Sequence, residues 1–522
     1  MDFDVLDKIG SRSAFGVIST LLIMIQVIPL LQTTPAYGDP YWNEHGKVEP
    51  DHKIATKHLE HALSKQAERG IPLYRNHGTA KEGVAPQPRV LATVIPSPEM
   101  SSGTTINGIG YDNVTPPDVQ VAAGPLNIME MVNLEGEIWA KDGTSQTGPF
   151  GLANFFGTGS DMISDPKVFF DSSSNRWFSS ITDISTSSVK VAVSDSEDAN
   201  GNFCVYTLKG PTYTILDQPI IGSSDDKIIV SVNDFSTFTQ QFLYSQYWVM
   251  NKSDMLTCSH ASFVSKTTSS YFSIHPVQSL TSTETEYMVS TSQTSSPSTI
   301  DVFSVNGVPP NPVTVSIVKL PISAISDPPS AVQPGTILRL DTGDARVQDA
   351  TWSNGALWLA HNNACIPAGD TTTRSCLHLV EISTTNSGSS SPISVLQDFN
   401  YGVAGKYLFY PAIRELSNGD LFVAYGLSSS TDFPGIEVTK QAAGDKKGSI
   451  EAPTTLQPGN GSVTLLFGCI STTGCRYGDY FGAGLDPSDP TQVWVGGEYG
   501  SGTLDYSALG KTWATKIGSF TG

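Results

Sequence analysis

Five aspartates and three arginines recur at matching places along the chain. Asp118, Asp165, Asp217, Asp349 and Asp479, with Arg346, Arg414 and Arg476, stand at or close to the start of short apolar runs. His275, Tyr410 and Tyr480 occupy corresponding stretches. Carboxylates brought together repel unless a cation or a guanidinium sits among them, so the set points to one of two chemistries. In the first, Asp118, Asp165, Asp217 and Asp349, with His275, hold a hard cation such as calcium. In the second, Arg346, Arg414 and Arg476 fork onto the carboxylate or hydroxyl groups of a ligand, with Tyr410, Asp479 and Tyr480 beside them. A glycoside-cleaving site would also need a nucleophile, for which Tyr410 or Tyr480 with Glu415 is the candidate. The plain alternative is that the aspartates are turn and cap residues serving backbone N–H groups, and that each arginine pairs with a nearby aspartate, as Arg476 would with Asp479. Arginines converging on a concave mouth would favour hydrolysis; a mouth plugged by Asp–Arg pairs would favour a structural role.

Other catalytic signatures are missing. The chain has no Gly-x-Ser-x-Gly elbow, His-Glu-x-x-His helix or phosphate-binding glycine loop. Asp198-Ala-Asn-Gly-Asn202 has the look of a calcium loop but lacks the glutamate at its twelfth position, so it reads as a hairpin turn. His52, His58 and His61 lie in a polar, helix-compatible stretch, and read as a solvated face.

The elements that must position the charged set are short strands. Arg476 to Tyr499 writes out one unit: a polar lead-in, a small-residue strand to Leu485, the turn Asp486-Pro-Ser-Asp-Pro490 and a strand from Gln492 to Gly496. Units of this kind begin near Asp118, Asp165, Asp217, His275, Arg346, Phe409 and Tyr480, about 40 to 70 residues apart, the spacing of four-stranded propeller blades with loops. The clearest has strands at Pro166–Phe170, Arg176–Thr182, Val189–Ser194 and Phe203–Leu208. The expected fold is all-β, a single β-propeller with seven four-stranded blades as the leading count. Its first strands line a central channel, and the loops leading into them form one mouth. The last unit supplies only three strands, ending with Trp513–Ile517. The isolated strand Val90–Ile95 is expected to complete it and close the ring.

The whole-chain totals constrain the setting. Among 522 residues, 50 acidic side chains against 30 basic ones leave a net charge of -20, which repels phosphate backbones and excludes nucleic acid as a partner. The apolar run 14–31 follows Lys8 and Arg12 and precedes Ala36-Tyr37-Gly38, reading as a secretory signal or an N-terminal anchor. The expected organisation is 1–38 signal or membrane anchor, 39–88 polar pro-region or stalk with a short helix, and 89–522 propeller. Six cysteines follow the run. Cys365 with Cys376, and Cys469 with Cys475, have hairpin-closing spacings, which leaves Cys204 and Cys258 to pair by elimination in an oxidising compartment. Asn113, Asn251 and Asn460 begin glycosylation acceptor triplets. The protein is therefore expected outside the cell, secreted or anchored through 14–31 only.

Pro116 to Pro125, Asp165 to Asp171 with Arg176-Trp177, Arg346 to Gly355, Tyr410 to Ile413, Arg476 to Tyr480 and Trp513 to Phe520 together resemble a family of exported microbial β-propeller proteins of largely uncharacterised function. The resemblance runs from about 112 to the end and implies the fold rather than a chemistry. A weaker similarity is to sialidase propellers. Gly510-Lys-Thr-Trp513 matches the second half of their Asp-box turn, but Ala508 stands at its aspartate and Tyr506 at its serine. The combined reading is an extracellular binding or adhesion module for a glycan or protein ligand. A sialidase-like glycoside hydrolase is the alternative, and a structural envelope component the second.

Overall fold

Strands whose side chains are buried on both faces need no polar alternation, and two strands here show none. In the computed structural model Ile163–Asp171 and Leu421–Ser429 are buried at every position. The structure describes residues 42–59, 90–96, 100–291, 298–385, 393–465, 468–470, 474–507 and 509–522. Strand makes up 57% and helix 3%, so sheets must be covered by other sheets. The architecture that does this is a β-propeller, with apolar side chains filling the wedges between blades.

Among the described residues, five blades stand as separate sheets. The first runs Gln120–Ala123, Asn127–Met131, Glu135–Ala140 and Phe150–Gly151 from the channel outward. The others start at the channel with Ile163–Asp171, His275–Pro276, Lys406–Glu415 and Gly482–Leu485. A ten-stranded sheet holds two further antiparallel meanders, from Thr214–Ser223 out to Ala261–Thr268 and from Val347–Ser353 out to Ser394–Tyr401. Gln278–Ser279 joins them, lying parallel to Ser223 on one side and to Thr351 and Trp352 on the other.

The seam departs from expectation. The last sheet gains its outer strand from Ser101–Gly110, which pairs antiparallel with Gly510–Thr521. The expected closing strand is instead Thr93–Ile95, which pairs parallel with Ser449–Glu451, away from the seam. At the inner end of the join the backbones touch. A Cβ on Gly482 would lie 2.1 Å from the Val121 nitrogen, so only glycine fits.

The stretch expected as a stalk is docked where it is described. Glu44–Val48 adds to Ala261–Thr268, and Pro50–Ala55 adds to Asn202–Lys209. Of the stretch expected to be helical, the described part is strand to Ala55 and then one 3-10 turn, Thr56–His58. The rest of that stretch, His61 and the apolar run 14–31 lie outside the described residues. Among the described residues, no helix is long and apolar enough to cross a membrane.

All three expected disulfides form: Cys204–Cys258, Cys365–Cys376 and Cys469–Cys475. The first ties Asn202–Lys209, in the sheet led by Ile163–Asp171, to the turn after the helix Lys252–Leu256. Such a set belongs to an oxidising environment.

Candidate functional site

The inner strands share a local device that aims side chains at the channel. Asp118, Asp165, Gln218, Tyr410 and Asp479 all have positive φ, between 53° and 64°. Proline follows Asp165, Gln218 and Tyr410 directly. Proline cannot donate to a ladder, so the strand bulges there and the pairing skips past it, as between Asp217 and Ile220 and between Phe409 and Ala412. Bulky residues held at positive φ store strain that the surroundings must fix. Asparagines do so here. Asn133 Oδ1 accepts from the Asp165 N–H at 2.8 Å and Asn362 Oδ1 from the Tyr410 N–H at 2.7 Å. Asn233 Oδ1 does the same for Ser273, at 2.8 Å. Each clamp reaches from one set of strands to the next.

The structure brings most of the predicted set together. Asp118 and Asp217 each face the Asp165 side chain within hydrogen-bond reach. Burial, and then the charge of Asp165, raises both well above the usual carboxylate range. Both groups are thus pushed toward their protonated forms by burial and by the neighbouring Asp165 carboxylate. Asp165 also serves the backbone, accepting the Gln218 N–H at 3.0 Å. The capping role and the convergent-acid role thus fall on the same residue.

Each predicted arginine is committed to an aspartate. Arg346 Nε donates to Asp344 at 2.8 Å, Arg414 to Asp349 at 2.7 Å, and Arg476 to Asp479. Burial alone would lower Arg346 and Arg476, but the surrounding aspartates carry both above the ordinary value. Tyr410 lies beside this group, its hydroxyl 3.5 Å from Asp479 Oδ1. His275 is pushed down to about 3 by burial and by Lys167 and Arg414, so it is neutral. Among the described residues no three His, Cys, Asp or Glu side chains are grouped to hold a metal ion.

Lys167 is the residue the sequence reading missed. It is buried within the channel, its ammonium 2.9 Å from the centre of the Tyr480 ring. Burial lowers it to about 7, against the pull of Asp165, Asp118 and Asp349. Asp344 and Gln348 are further additions, neither marked by the strand grammar. A lysine within Pro166–Phe170 reads from sequence as solvent-facing, and only the ring closure turns it inward.

Of the nucleophile pairings, Tyr410 and Glu415 are spread along one strand. Glu415 lies five residues along its strand from Tyr410, roughly 16 Å at the usual rise. It is raised to about 7 by burial and by Glu381. Tyr480 is raised well above its ordinary value by burial and by Asp165, so its phenol is not activated. Lys167, His275, Gln348, Asp349, Arg414 and Tyr480 line a cavity of about 50 Å³ in the channel. Beyond it, the opposite end opens into a funnel of about 500 Å³ edged by Ser172, Ser173, Ser279, Thr281 and Ser282.

Of the glycosylation candidates, Asn113 and Asn460 are exposed. Asn251 is engaged: its Oδ1 caps Lys252–Leu256 and its Nδ2, the atom a glycan would need, donates to the Pro309 carbonyl at 2.9 Å.

No family model and no curated protein matches the chain. Among solved structures, it is similar to the phage phi92 endosialidase, at 8% identity over 81% of this chain and 69% of that one, with a TM-score of 0.40. It is also similar to the α-L-arabinofuranosidase Arb93A from Fusarium graminearum, at 10% identity over 80% and 98% of the two chains and a TM-score of 0.32. The catalytic domain of the Coprinopsis cinerea GH62 α-L-arabinofuranosidase gives 10% identity over 82% and 98%, with a TM-score of 0.28. At these scores the likeness assigns no activity.

Proposed function

We propose that the chain is an extracellular binding module whose channel mouth takes a hydroxyl-rich glycan ligand, and that its ring counts seven blades, the ten-stranded sheet contributing two. The Asp–Arg pairs taken alone favour the structural reading; what carries the binding reading is the hydrogen-bonding capacity that this self-neutralised rim leaves over. Arg346, Arg414 and Arg476 each spend one face on an aspartate. A guanidinium has more donors than one carboxylate accepts, and half-buried Asp217, Asp349 and Asp479 add acceptors beside them. Sugar hydroxyls both donate and accept, which suits such a rim. An anionic ligand gains less, because the positive charge is already balanced. Among the described residues, no grouped ligand set supports calcium.

A specific observation favours hydrolysis as the second reading. Glycoside cleavage uses two carboxyl groups in different protonation states, and Asp118 and Asp217, both raised by burial and by Asp165, stand beside that third carboxyl. The Tyr–Glu pairing of a sialidase-like site has no such support.

A glycan array and a panel of chromogenic glycosides, run on the parent and on Asp217→Asn and Arg346→Ala, test both readings. Capture by the parent, lost in the folded variants and without turnover, is the expected result. Turnover that disappears in Asp165→Asn would transfer the site to the hydrolase reading. A parent that captures no glycan removes the binding reading.

A further inference from the structure

Tyr213 is 67% exposed and Phe238 is 80% exposed, yet they pack on each other with ring centres 5.8 Å apart. Among the described residues, no other pair of packed rings has both members exposed. The arrangement is built in. Tyr213 is held at a φ of 68°, a costly conformation for a bulky residue, and its carbonyl accepts from both the N–H and the hydroxyl of Thr237, at 3.2 and 3.0 Å. These bonds fix the start of one strand to the loop that carries Phe238.

Tyr213 and Thr237 line a cleft of about 940 Å³ on the outer part of the propeller, and Phe238, next after Thr237, packs on the Tyr213 ring. The cleft walls are hydroxyl-rich, with Ser185, Thr186, Thr207 and Thr212 among the lining residues. Lys190 in the wall is already engaged, donating to Thr207 at 2.7 Å and standing 3.7 Å from Asp51. The cleft therefore offers hydroxyls and the Tyr213 ring, with Phe238 packed beside it and Lys209 and His52 also in the lining.

We propose that this cleft is a second glycan-binding site, in which Tyr213 and Phe238 stack against successive sugar rings of a neutral polysaccharide. The negative face of an aromatic ring attracts the weakly positive C–H groups on the face of a pyranose, while hydroxyl walls exchange hydrogen bonds with the sugar's edges. The rings are tilted by 39°, which suits a chain that twists between residues. A protein partner fits less well, since protein interfaces need an apolar core well beyond two side chains. A net charge of -20 disfavours anionic membrane surfaces. This site stands independently of the channel mouth.

The test is retention of the full-length protein on microcrystalline cellulose, chitin, insoluble xylan and insoluble mannan. The expected result is retention of the parent on at least one, reduced at least tenfold in Tyr213→Ala/Phe238→Ala and in Phe238→Ala alone. Tyr213→Gly removes the ring while relaxing the positive φ, so its loss of retention reports on the ring and not on folding. Phe238→Leu keeps an apolar side chain without an aromatic face and should also lose retention; parent-like binding by it overturns ring stacking. Ile337→Ala, which removes a 97% exposed apolar side chain outside both the cleft and the channel rim, should bind like the parent. Equal loss in that variant, or a parent held by none of the polysaccharides, overturns the proposal.

Discussion

Arg476 shows how far a residue's role can be read from its neighbours in sequence. Its pairing with Asp479, three residues on, is legible because both sit in one lead-in before a strand. Arg346 pairs just as locally, with Asp344. Arg414 does not: its partner Asp349 is 65 residues away and becomes a neighbour only through ring packing. The asparagine clamps were invisible for the same reason, since Asn133, Asn233 and Asn362 act on strands that follow after a connecting loop. The Arg476–Asp479 pair is largely buried, with each side chain 15% exposed. Removing one partner of such a pair leaves a poorly compensated charge. Arg476→Ala is therefore expected to lower stability by about 3 kcal/mol, read as a shift in the urea midpoint with the slope unchanged. An unshifted midpoint would show that the guanidinium faces solvent and serves a ligand rather than the fold.

At the scale of elements, strand content and the repeating unit were legible, while the closure of the ring was not. Val90–Ile95 looked like the missing strand because it is apolar. Ser101–Gly110 did not, because its only aliphatic residues are Ile106 and Ile109 among serine, threonine, glycine and asparagine. An outer strand has one face in solvent, so its composition resembles that of a turn. The two isoleucines are 4% and 2% exposed and pack into the same core cluster as Trp513 and Ile517. Ile106→Ala is expected to cost roughly 2 to 4 kcal/mol and to promote self-association through the loosened edge. Val94→Ala, at a position 48% exposed on the displaced strand, should stay within about 0.5 kcal/mol of the parent. Chemical denaturation with light scattering on both variants would check this. Equal stability of the two would mean that Ser101–Gly110 does not hold the seam.

At the scale of the whole molecule, the sequence gives a strongly acidic chain but not where its acids lie. Many of them are inside. Burial raises Asp112 and Glu415 to about 7, and Glu130 and Asp234 to about 8. Asp118, Asp217, Glu286 and Glu498 are raised well above their ordinary values, also chiefly by burial. A carboxyl raised in the folded state keeps its proton where the unfolded chain has lost it. Folding then binds protons, and stability falls as pH climbs from about 4 through the folded values. His275 and His361, lowered to about 3 chiefly by burial, work in the opposite direction up to about 6.5, and Lys167, lowered to about 7, opposes the trend only above that value. The acids outnumber these groups, and self-repulsion of the net charge of -20 grows in the same direction. The melting temperature is therefore expected to fall from pH 5 to pH 8. Asp234→Asn supplies the decisive comparison, because the amide mimics the protonated acid and cannot ionise. It should leave stability near that of the parent at pH 4 and raise it by on the order of 3 kcal/mol at pH 7, flattening the pH slope. Thermal and urea unfolding of parent and variant across this range would decide the matter. A melting temperature that rises toward pH 8, with the same slope in Asp234→Asn, would mean that the interior carboxyls are ionised and compensated in the folded protein.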